Sequence, residues 1–572
     1  MASICSELAG LPLAIELAAA RLRMLSPEQV AARLAEQQDF LTHGGRSRPD
    51  RQQTMRATLD WSHHLLAPDE QIVFRRLSIF AGGFTLDAAE QVVEGDGVDR
   101  AVVADTIERL VSRSLVAVDH DRAEPRLHML EPVRQYAAAR LREAGNRDRV
   151  VRRHLEWVVS LAAKAGIGFL CEQGRWSARL RDEQDNVRQA METALAGVDP
   201  EAALRIAAAL GYPWFTMGQP DARAWVVRAL EAAPGAPDRI RAPALLGAGT
   251  LASNALDYDR ALAHLREVLE LFRRVSGRRG EEWVLVAIGR AAQDIDVDSR
   301  PAAAWFEDAL RIFREVGDPV GIGTVLGLLA EEQFKAGDVE GAASRATEAF
   351  DVGTRSGILQ VVVVSQWVLG MLAAIRGQHD DVGRLFEEAA AANKQAGDRW
   401  QLALILTTAA HVALFRGDDI RALGPLRQAL RLARDSGSGE RMIHGVELAA
   451  HVVHQRGRAR EMAMLVGAVE EVNQRLPRRM ELMRALPWPV GVGQSMSEGG
   501  FEALASAVSA EFDEHRVAGR SLSLERAADL ALRVLDEELA LAAAAAAGGS
   551  EAAGEVPSIK SRGGRSQAFR ER

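Results

Sequence analysis

Glycines recur along the middle of this chain every 40 residues. Gly277, Gly317, Gly357, Gly397 and Gly437 form one series, and Pro477 takes the next slot. A second series, Gly337, Gly377, Gly417 and Gly457, keeps the same interval, with Asp257 and Val297 in its two earlier slots. Self-similarity at such a period marks a repeat array. Apolar columns keep step with it. One reads Leu262, Ala302, Ala342, Val382, Ala422, Met462; a second reads Leu269, Ala309, Ala349, Ala389, Ala429, Val469; a third reads Phe272, Ile312, Val352, Ala392, Leu432, Val472. Within each unit these fall at i, i+7 and i+10, one face of a helix. The glycines suit helix C′ positions, where left-handed dihedrals are cheap. A further column, Gly249, Gly289, Leu329, Leu369, Ala409, Ala449, lies on the preceding apolar segment, and its small members are expected to let two backbones approach. Each unit therefore reads as helix, turn, helix. Stacked over 241–480, such pairs make an α-solenoid with a concave surface. The units are longer than the usual tetratricopeptide repeat of about 34 residues. Strings such as Ala261-Leu262-Ala263-His264-Leu265 and Ala309-Leu310-Arg311-Ile312-Phe313 nevertheless look like tetratricopeptide second helices.

The chain has 572 residues, enough for several domains, and 48% of them are apolar, ample for buried cores. A net charge of −9 argues against a chain built to coat nucleic acid. Two cysteines, Cys5 and Cys171, cannot form a disulfide framework, which points to a reducing, cytoplasmic compartment. The start lacks the basic region and clean apolar core of a signal peptide. The longest apolar run, Val361 to Ile375, is interrupted by Ser365 and Gln366. It is shorter than the roughly 20 residues that span a bilayer, so a buried repeat helix is expected and no membrane partner.

Residues 1–45 read as a small helical segment, with Gly10-Leu11-Pro12-Leu13 at a helix junction and Ser26 capping the next helix. Residues 50–146 read as a winged helix. Helices are expected over Met55–Leu66, from Pro68 to about Phe80, from Thr85 as N-cap, over Asp99–Ser112 and over Glu131–Ala144. Leu115–Val118 and Arg126–Met129 are expected as paired strands. Residues 147–240 form a less regular helical linker, anchored by Tyr212, Trp214 and Trp225 as core aromatics. Residues 481–540 form a helical cap, with helices over Phe501–Phe512 and Leu524–Leu539 and Ser523 capping the second. Residues 541–572 read as a disordered tail whose last stretch is basic. The fold class is thus mainly α: a winged helix followed by a tetratricopeptide-like α-solenoid.

In domain order, residues 1–540 resemble the signal-transduction ATPases with numerous domains, relatives of the NB-ARC proteins that include many actinobacterial regulators. The sharpest marks are Gly10-Leu11-Pro12-Leu13, extended by Ala14-Ile15-Glu16-Leu17-Ala18, and the stretch around Phe80-Ala81-Gly82-Gly83-Phe84. The resemblance implies that Gly10, Leu11, Pro12 and Leu13 pack beside the adenine of a bound nucleotide. It also implies a sensor motif, Met-His-Asp, leading into a helix with Arg and Tyr. Here Met129-Leu130-Glu131 stands in its place, ahead of Arg134 and Tyr136, so the sensing positions are Leu130 and Glu131. Leu130 cannot donate a side-chain hydrogen bond to a phosphate. His128 is out of register on the strand and should face away from Met129. Such regulators often end in a LuxR-type DNA-binding domain, and none is visible here.

A phosphate cradle needs G-x-x-x-x-G-K-[S/T], and none of the four lysines, Lys164, Lys335, Lys394 and Lys560, follows a glycine in that pattern. The chain is expected to begin inside such an ATPase, after its catalytic part. It would then hold no cofactor itself, whereas full-length relatives hold ATP or ADP. The helix Asp99–Arg113 carries three acids and three arginines, so direct DNA reading is not expected. His451 and His454 stand at i, i+3 without the Glu of a zinc helix or a third ligand. His63 and His64 point to different helix faces. We find no catalytic arrangement and expect no enzyme. The reading is a regulator tied to transcription, whose repeats take a protein or small-molecule inducer and whose DNA contact is indirect or weak. Self-association is compatible with it. The alternative is a plain repeat scaffold for protein–protein interaction.

Overall fold

The computed structural model describes residues 51–120, 124–275, 281–294, 297–475 and 513–552, with single positions at 15, 19, 26, 28 and 29. The expected helix over Phe501–Phe512 lies outside the described residues. The chain divides into two compact units. The first comprises residues 1–253, 258–288 and 395–397; the second comprises 254–257, 289–394 and 398–572.

The first unit opens with α1 (Arg51–His64) and α2 (Pro68–Leu77). Proline sits in the first turn of α2, where its missing N–H is no loss. Glu70 turns back to accept the Ala67 N–H at 3.0 Å. In α3 (Leu86–Val93) the Thr85 hydroxyl accepts from the Ala88 N–H, and in α4 (Arg100–Ser112) the Asp99 carboxylate accepts from the Ala101 N–H. β1 (Ala117–Asp119) pairs antiparallel with β2 (Arg126–His128), Val118 opposite Leu127. Phe84 extends this ribbon by exchanging two 2.8 Å hydrogen bonds with Leu127. α5 (Glu131–Glu143) closes the winged helix, and Gly145 leaves it at φ +69°.

The linker follows as α6 (Arg147–Gly168), α7 (Gln173–Asp182), α8 (Gln184–Thr193), α9 (Pro200–Met217) and α10 (Ala222–Ala232). Trp214 and Trp225 are buried with ring centroids 5.4 Å apart. Next come α11 (Asp238–Asn254), α12 (Tyr258–Val275) and α13 (Glu281–Asp294). The small-residue column behaves differently from expectation. A Cβ on Gly249 would meet the Leu265 side chain at 2.7 Å, and one on Gly289 would meet the Phe306 ring at 2.5 Å. These glycines make room for side chains of the following helix. Close backbone approach occurs two residues earlier, where a Cβ on Gly247 would lie 3.2 Å from the Gly211 Cα.

The second unit holds helix pairs: α14 (Ala302–Val316), α15 (Pro319–Lys335), α16 (Val339–Ser356), α17 (Leu359–Ile375), α18 (His379–Ala396), α19 (Arg399–Phe415), α20 (Asp419–Ser436), α21 (Gly439–Gln455) and α22 (Ala459–Arg475). First helices also touch first helices, α15 on α17 and α19 on α21. Both glycine series adopt left-handed backbone, with φ between 65° and 81° from Gly317 to Gly457. The next residue is Asp at 318, 338, 398 and 418, and each carboxylate caps the following helix. One residue pair thus ends a helix and starts the next. The first two apolar columns are buried wherever they fall in this unit, whereas the third is half-buried beyond Ile312. In the slot of Asp257 the register slips by one. α11 ends at Asn254, and Leu256 takes the left-handed conformation at φ +65°. An L side chain there costs on the order of 1 kcal/mol relative to glycine.

α23 (Asp513–Arg520) crosses α22 at Gly467 and Gly519, where a Cβ on either would collide with the other helix's backbone. Ser523 accepts from the Arg526 N–H at 3.3 Å, as an N-cap should. α24 (Leu524–Ala552) then covers α20, α21 and α22. It continues through the Ala/Gly run assigned above to a disordered tail. That assignment is corrected from 541 to 552: alanine is the best helix former, and a helix already anchored needs no new nucleus. Among the described residues no helix is long and apolar enough to cross a membrane.

Candidate regulatory sites in the winged helix and the repeats

In a winged helix the helix before the wing is the one that could enter a DNA groove, here α4. Its arginines, Arg100 and Arg109, and the C-cap Arg113 are engaged on the protein. Arg100 pairs with Glu90 at 3.0 Å and Asp87 at 3.3 Å. Arg109 pairs with Glu70 at 2.8 Å, and Arg113 pairs with the same carboxylate. Burial pushes the Glu70 carboxyl up, but the Ala67 N–H and the two guanidiniums outweigh it and hold it below the ordinary value. The face is therefore neutral and internally paired. We expect mobility shifts at physiological salt to show no sequence preference. A specific footprint from this chain alone would contradict that.

The turn Phe80-Ala81-Gly82-Gly83-Phe84 is gripped by α8. The Asn186 amide donates to the Gly83 carbonyl at 2.9 Å and to Glu183 at 2.6 Å, while its oxygen accepts the Ala81 N–H at 2.8 Å. Gln189 donates to the Ile79 carbonyl at 2.7 Å. Glu183 also receives Arg126 from β2 at 2.7 Å, with Glu183 fully buried and Arg126 nearly so. Arg179 reaches Glu183 at 3.4 Å, Glu124 at 2.6 Å and the Thr85 hydroxyl at 3.2 Å. Glycine is required at both central positions. A Cβ on Gly82 (φ +73°) would lie 2.5 Å from Asp185 Oδ2, and one on Gly83 (φ +95°) 2.8 Å from the Leu127 carbonyl. Beneath the turn Phe80 stacks on Phe84 at 4.8 Å and meets His154 and Trp157. Burial holds His154 neutral, down at about 4, against the opposing pull of a hydrogen bond to Asn186.

Of the residues that the resemblance marks, Gly10, Leu11, Pro12 and Leu13 lie outside the described residues. Leu130 is the N-cap of α5, exposed, and makes no side-chain cap bond. Glu131, one residue on, binds Arg134 with both oxygens at 2.9 Å and Gln135 at 2.8 Å. Arg134 first, then Gln135, hold its carboxyl below the usual range. Tyr136 points inward and donates to Asp60 at 2.7 Å, which Arg140 also binds. His128, the last residue of β2, is half-buried, and Met129 just beyond the strand is buried, so the expected alternation of the two along the strand is not what the ribbon shows: its own pattern is two buried residues followed by His128. His63 is buried against Phe74 and Tyr136, while His64 is exposed. His451 is largely buried and His454 exposed, and no metal-holding cluster occurs among the described residues.

A second constellation lies among the first helices of the second unit, and no motif announced it. Lys335 pairs with Glu331 at 2.8 Å and Glu332 at 3.3 Å, and Gln293 donates to Glu332 at 2.8 Å. The guanidiniums of Arg290 and Arg441 lie over the Trp400 ring, 4.8 and 4.5 Å from its centre. Arg441 is 3% exposed and binds Glu440 at 3.2 Å. Burial pushes Glu331 and Glu440 up, yet both stay below the ordinary value. Lys335, Arg290 and Arg441 outweigh burial for Glu331, and Arg441, His444, Arg290 and Lys335 do so for Glu440. Burial drives His444 down to about 4 and the neighbouring His411 to about 3. Sequence reading missed this cluster because it treated each repeat helix as one apolar face. The available signal was charge at buried helical positions, as in Glu331, Lys335 and Arg441.

The fold and these two sites define a class: a winged helix-turn-helix joined to helical repeats of the tetratricopeptide kind. The winged helix-turn-helix domain family matches residues 66–142. The chain is 41% identical over 212 residues to a protein of Mycobacterium tuberculosis named as an HTH-type transcriptional regulator, covering 37% of this chain and 24% of that protein. A Mycobacterium bovis protein of the same description matches equally. An uncharacterized M. tuberculosis protein is 38% identical over 152 residues, 26% of this chain and 39% of its own length. The chain thus spans about a quarter of the length of the first of these relatives. Among solved structures it overlaps a signal-transduction ATPase with a tetratricopeptide repeat sensor from Pyrococcus horikoshii at TM-score 0.40 and 14% identity, over 78% of this chain and 70% of that one. It overlaps a Rap protein complexed with competence and sporulation factor at TM-score 0.41 and 10% identity, over 62% and 99%. At these scores neither overlap supports an argument about function.

Proposed function

We propose that this protein is a cytoplasmic, non-enzymatic regulator of the signal-transduction ATPase kind, acting on transcription through a partner rather than by reading DNA itself. Its repeats take a protein or a small inducer, and its winged helix relays that event. The observation that carries the reading is the buried Arg126–Glu183–Asn186 network, which welds the wing and the Gly82-Gly83 turn to α8. A winged helix held this way moves with the linker helices that lead into the repeats. The paired arginines of α4 and its C-cap favour an intramolecular or protein-facing role over direct base readout.

The test is transcript profiling of a deletion strain. A defined set of genes should change and be restored by the wild-type chain. Unchanged transcripts would leave the scaffold reading in its place. A second expectation concerns nucleotide. No G-x-x-x-x-G-K-[S/T] occurs in these residues, so purified residues 1–572 should bind ATP weakly or not at all by calorimetry. Micromolar affinity would overturn this.

A further inference from the structure

Three departures from the repeat pattern converge on one place in the second unit. The first is Leu256, left-handed where later repeats place glycine, and packed against the core formed by α19 to α22 and α24. The second is Ser438. At the corresponding slots Asp318 and Asp398 cap their helices, but Ser438 makes no cap bond. Its hydroxyl lies 2.8 Å from Asn254 Oδ1, across 184 residues of chain. The third is Gly439, the first residue of α21, where a Cβ would meet Leu256 Cγ at 2.7 Å. Pro319, Leu359 and Arg399 occupy that slot elsewhere. Beside these, the Trp400 indole donates to the same Asn254 Oδ1 at 3.1 Å and carries Arg290 and Arg441 over its ring.

We propose that this seam is a latch: Asn254 and Leu256, at the end of α11, clasp the starts of α19 and α21 and hold the repeats of this unit closed. It goes beyond the regulatory reading, being a property of the repeats alone. The slot of Ser438 is a capping Asp at 318 and 398 but an uncapped Ile358 in the repeat between them, so what sets 438 apart is that its hydroxyl is spent on Asn254, with glycine beside it at 439. Here a hydroxyl is turned to Asn254, a side chain is left out at 439 and a strained backbone is accepted at Leu256, all where the two stretches meet. One amide oxygen accepts from the starts of both helices, so losing Asn254 frees both donors at once. Opening exposes Trp400 beside Glu331, Glu440 and the two arginines, so a ligand that binds the open form through those groups shifts the repeats open.

The experiment is hydrogen exchange read by mass spectrometry on the full chain, comparing wild type with Asn254→Ala and with the milder Trp400→Phe and Ser438→Ala. The seam amides, 254–258 and 438–442, should exchange about tenfold faster in Asn254→Ala, and less so in the milder variants. Exchange within α15 and the body of α21 should stay unchanged. The latch is overturned if the seam amides exchange as in wild type. It is equally overturned if all helices of the unit accelerate together, which would make these contacts ordinary supports of the fold.

Discussion

Replacing Glu183 with Ala should destabilise the first unit by roughly 3–5 kcal/mol, because it leaves a buried guanidinium without its counter-charge. Arg126 is 5% exposed and Glu183 is fully buried, so water cannot stand in for the lost carboxylate. Asn186 and Arg179 lose the same partner. The expected readout is a lower urea midpoint for the amides of the Gly82-Gly83 turn and α8, followed by hydrogen exchange. Replacing both ions, Arg126→Met with Glu183→Met, should recover the part of the loss that comes from the unpaired Arg126, since desolvation of the pair offsets much of its attraction, while Asn186 and Arg179 still lack Glu183. A single variant that loses less than about 1 kcal/mol would show that the pair is solvated and that the winged helix is not fixed through it. If the regulatory proposal also holds, the destabilised variant should fail to restore the transcripts while the double variant restores them.

Much of this architecture was legible because it rests on local rules. Gly337, Gly377, Gly417 and Gly457 had to be left-handed helix ends once the interval was seen, and they are. Thr85 and Ser523 had to be caps, being hydroxyl residues just ahead of apolar periodicity. What could not be read was whatever depends on residues far apart meeting. Asn186 looks like one more polar residue in a polar helix until Ala81 and Gly83 are seen against it. Asn254 and Ser438 are unremarkable alone, and only the coiling of the second unit brings them to 2.8 Å. The small-residue column failed for a related reason. Glycine at 249 and 289 shows that something comes close, but not whether it is backbone or side chain. The alanine-rich end failed because composition was given more weight than the anchored helix that precedes it.

Acidification should unfold the second unit through its histidines before its carboxylates protonate. His411, His444 and His451 are held down at about 3, 4 and 4 by burial, with His451 and His444 adding to the effect on His411. For His444 the Glu440 carboxylate opposes burial, and Arg441 and Lys335 reinforce it. Unfolded, each imidazole titrates near 6.5. Between about 6.5 and 4 the unfolded chain therefore binds protons that the folded chain refuses, so stability falls as pH falls through that window. Each histidine contributes a loss of about 1.6 kcal/mol on going from pH 6.5 to 5, and the three together about 5 kcal/mol. That is comparable with the whole stability of an ordinary domain, roughly 5–15 kcal/mol. Glu331 and Glu440 do not enter here, because both are held below their ordinary values and stay ionised at pH 5. Urea titrations at pH 7.5, 6 and 5 should show a falling midpoint for this unit, steepest below 6.5. His411→Leu should remove about a third of the slope, since a neutral side chain of similar size needs no proton in either state. A midpoint that stays level from pH 6.5 to 5 would mean that these imidazoles are hydrated in the folded protein and already titrate near their ordinary value.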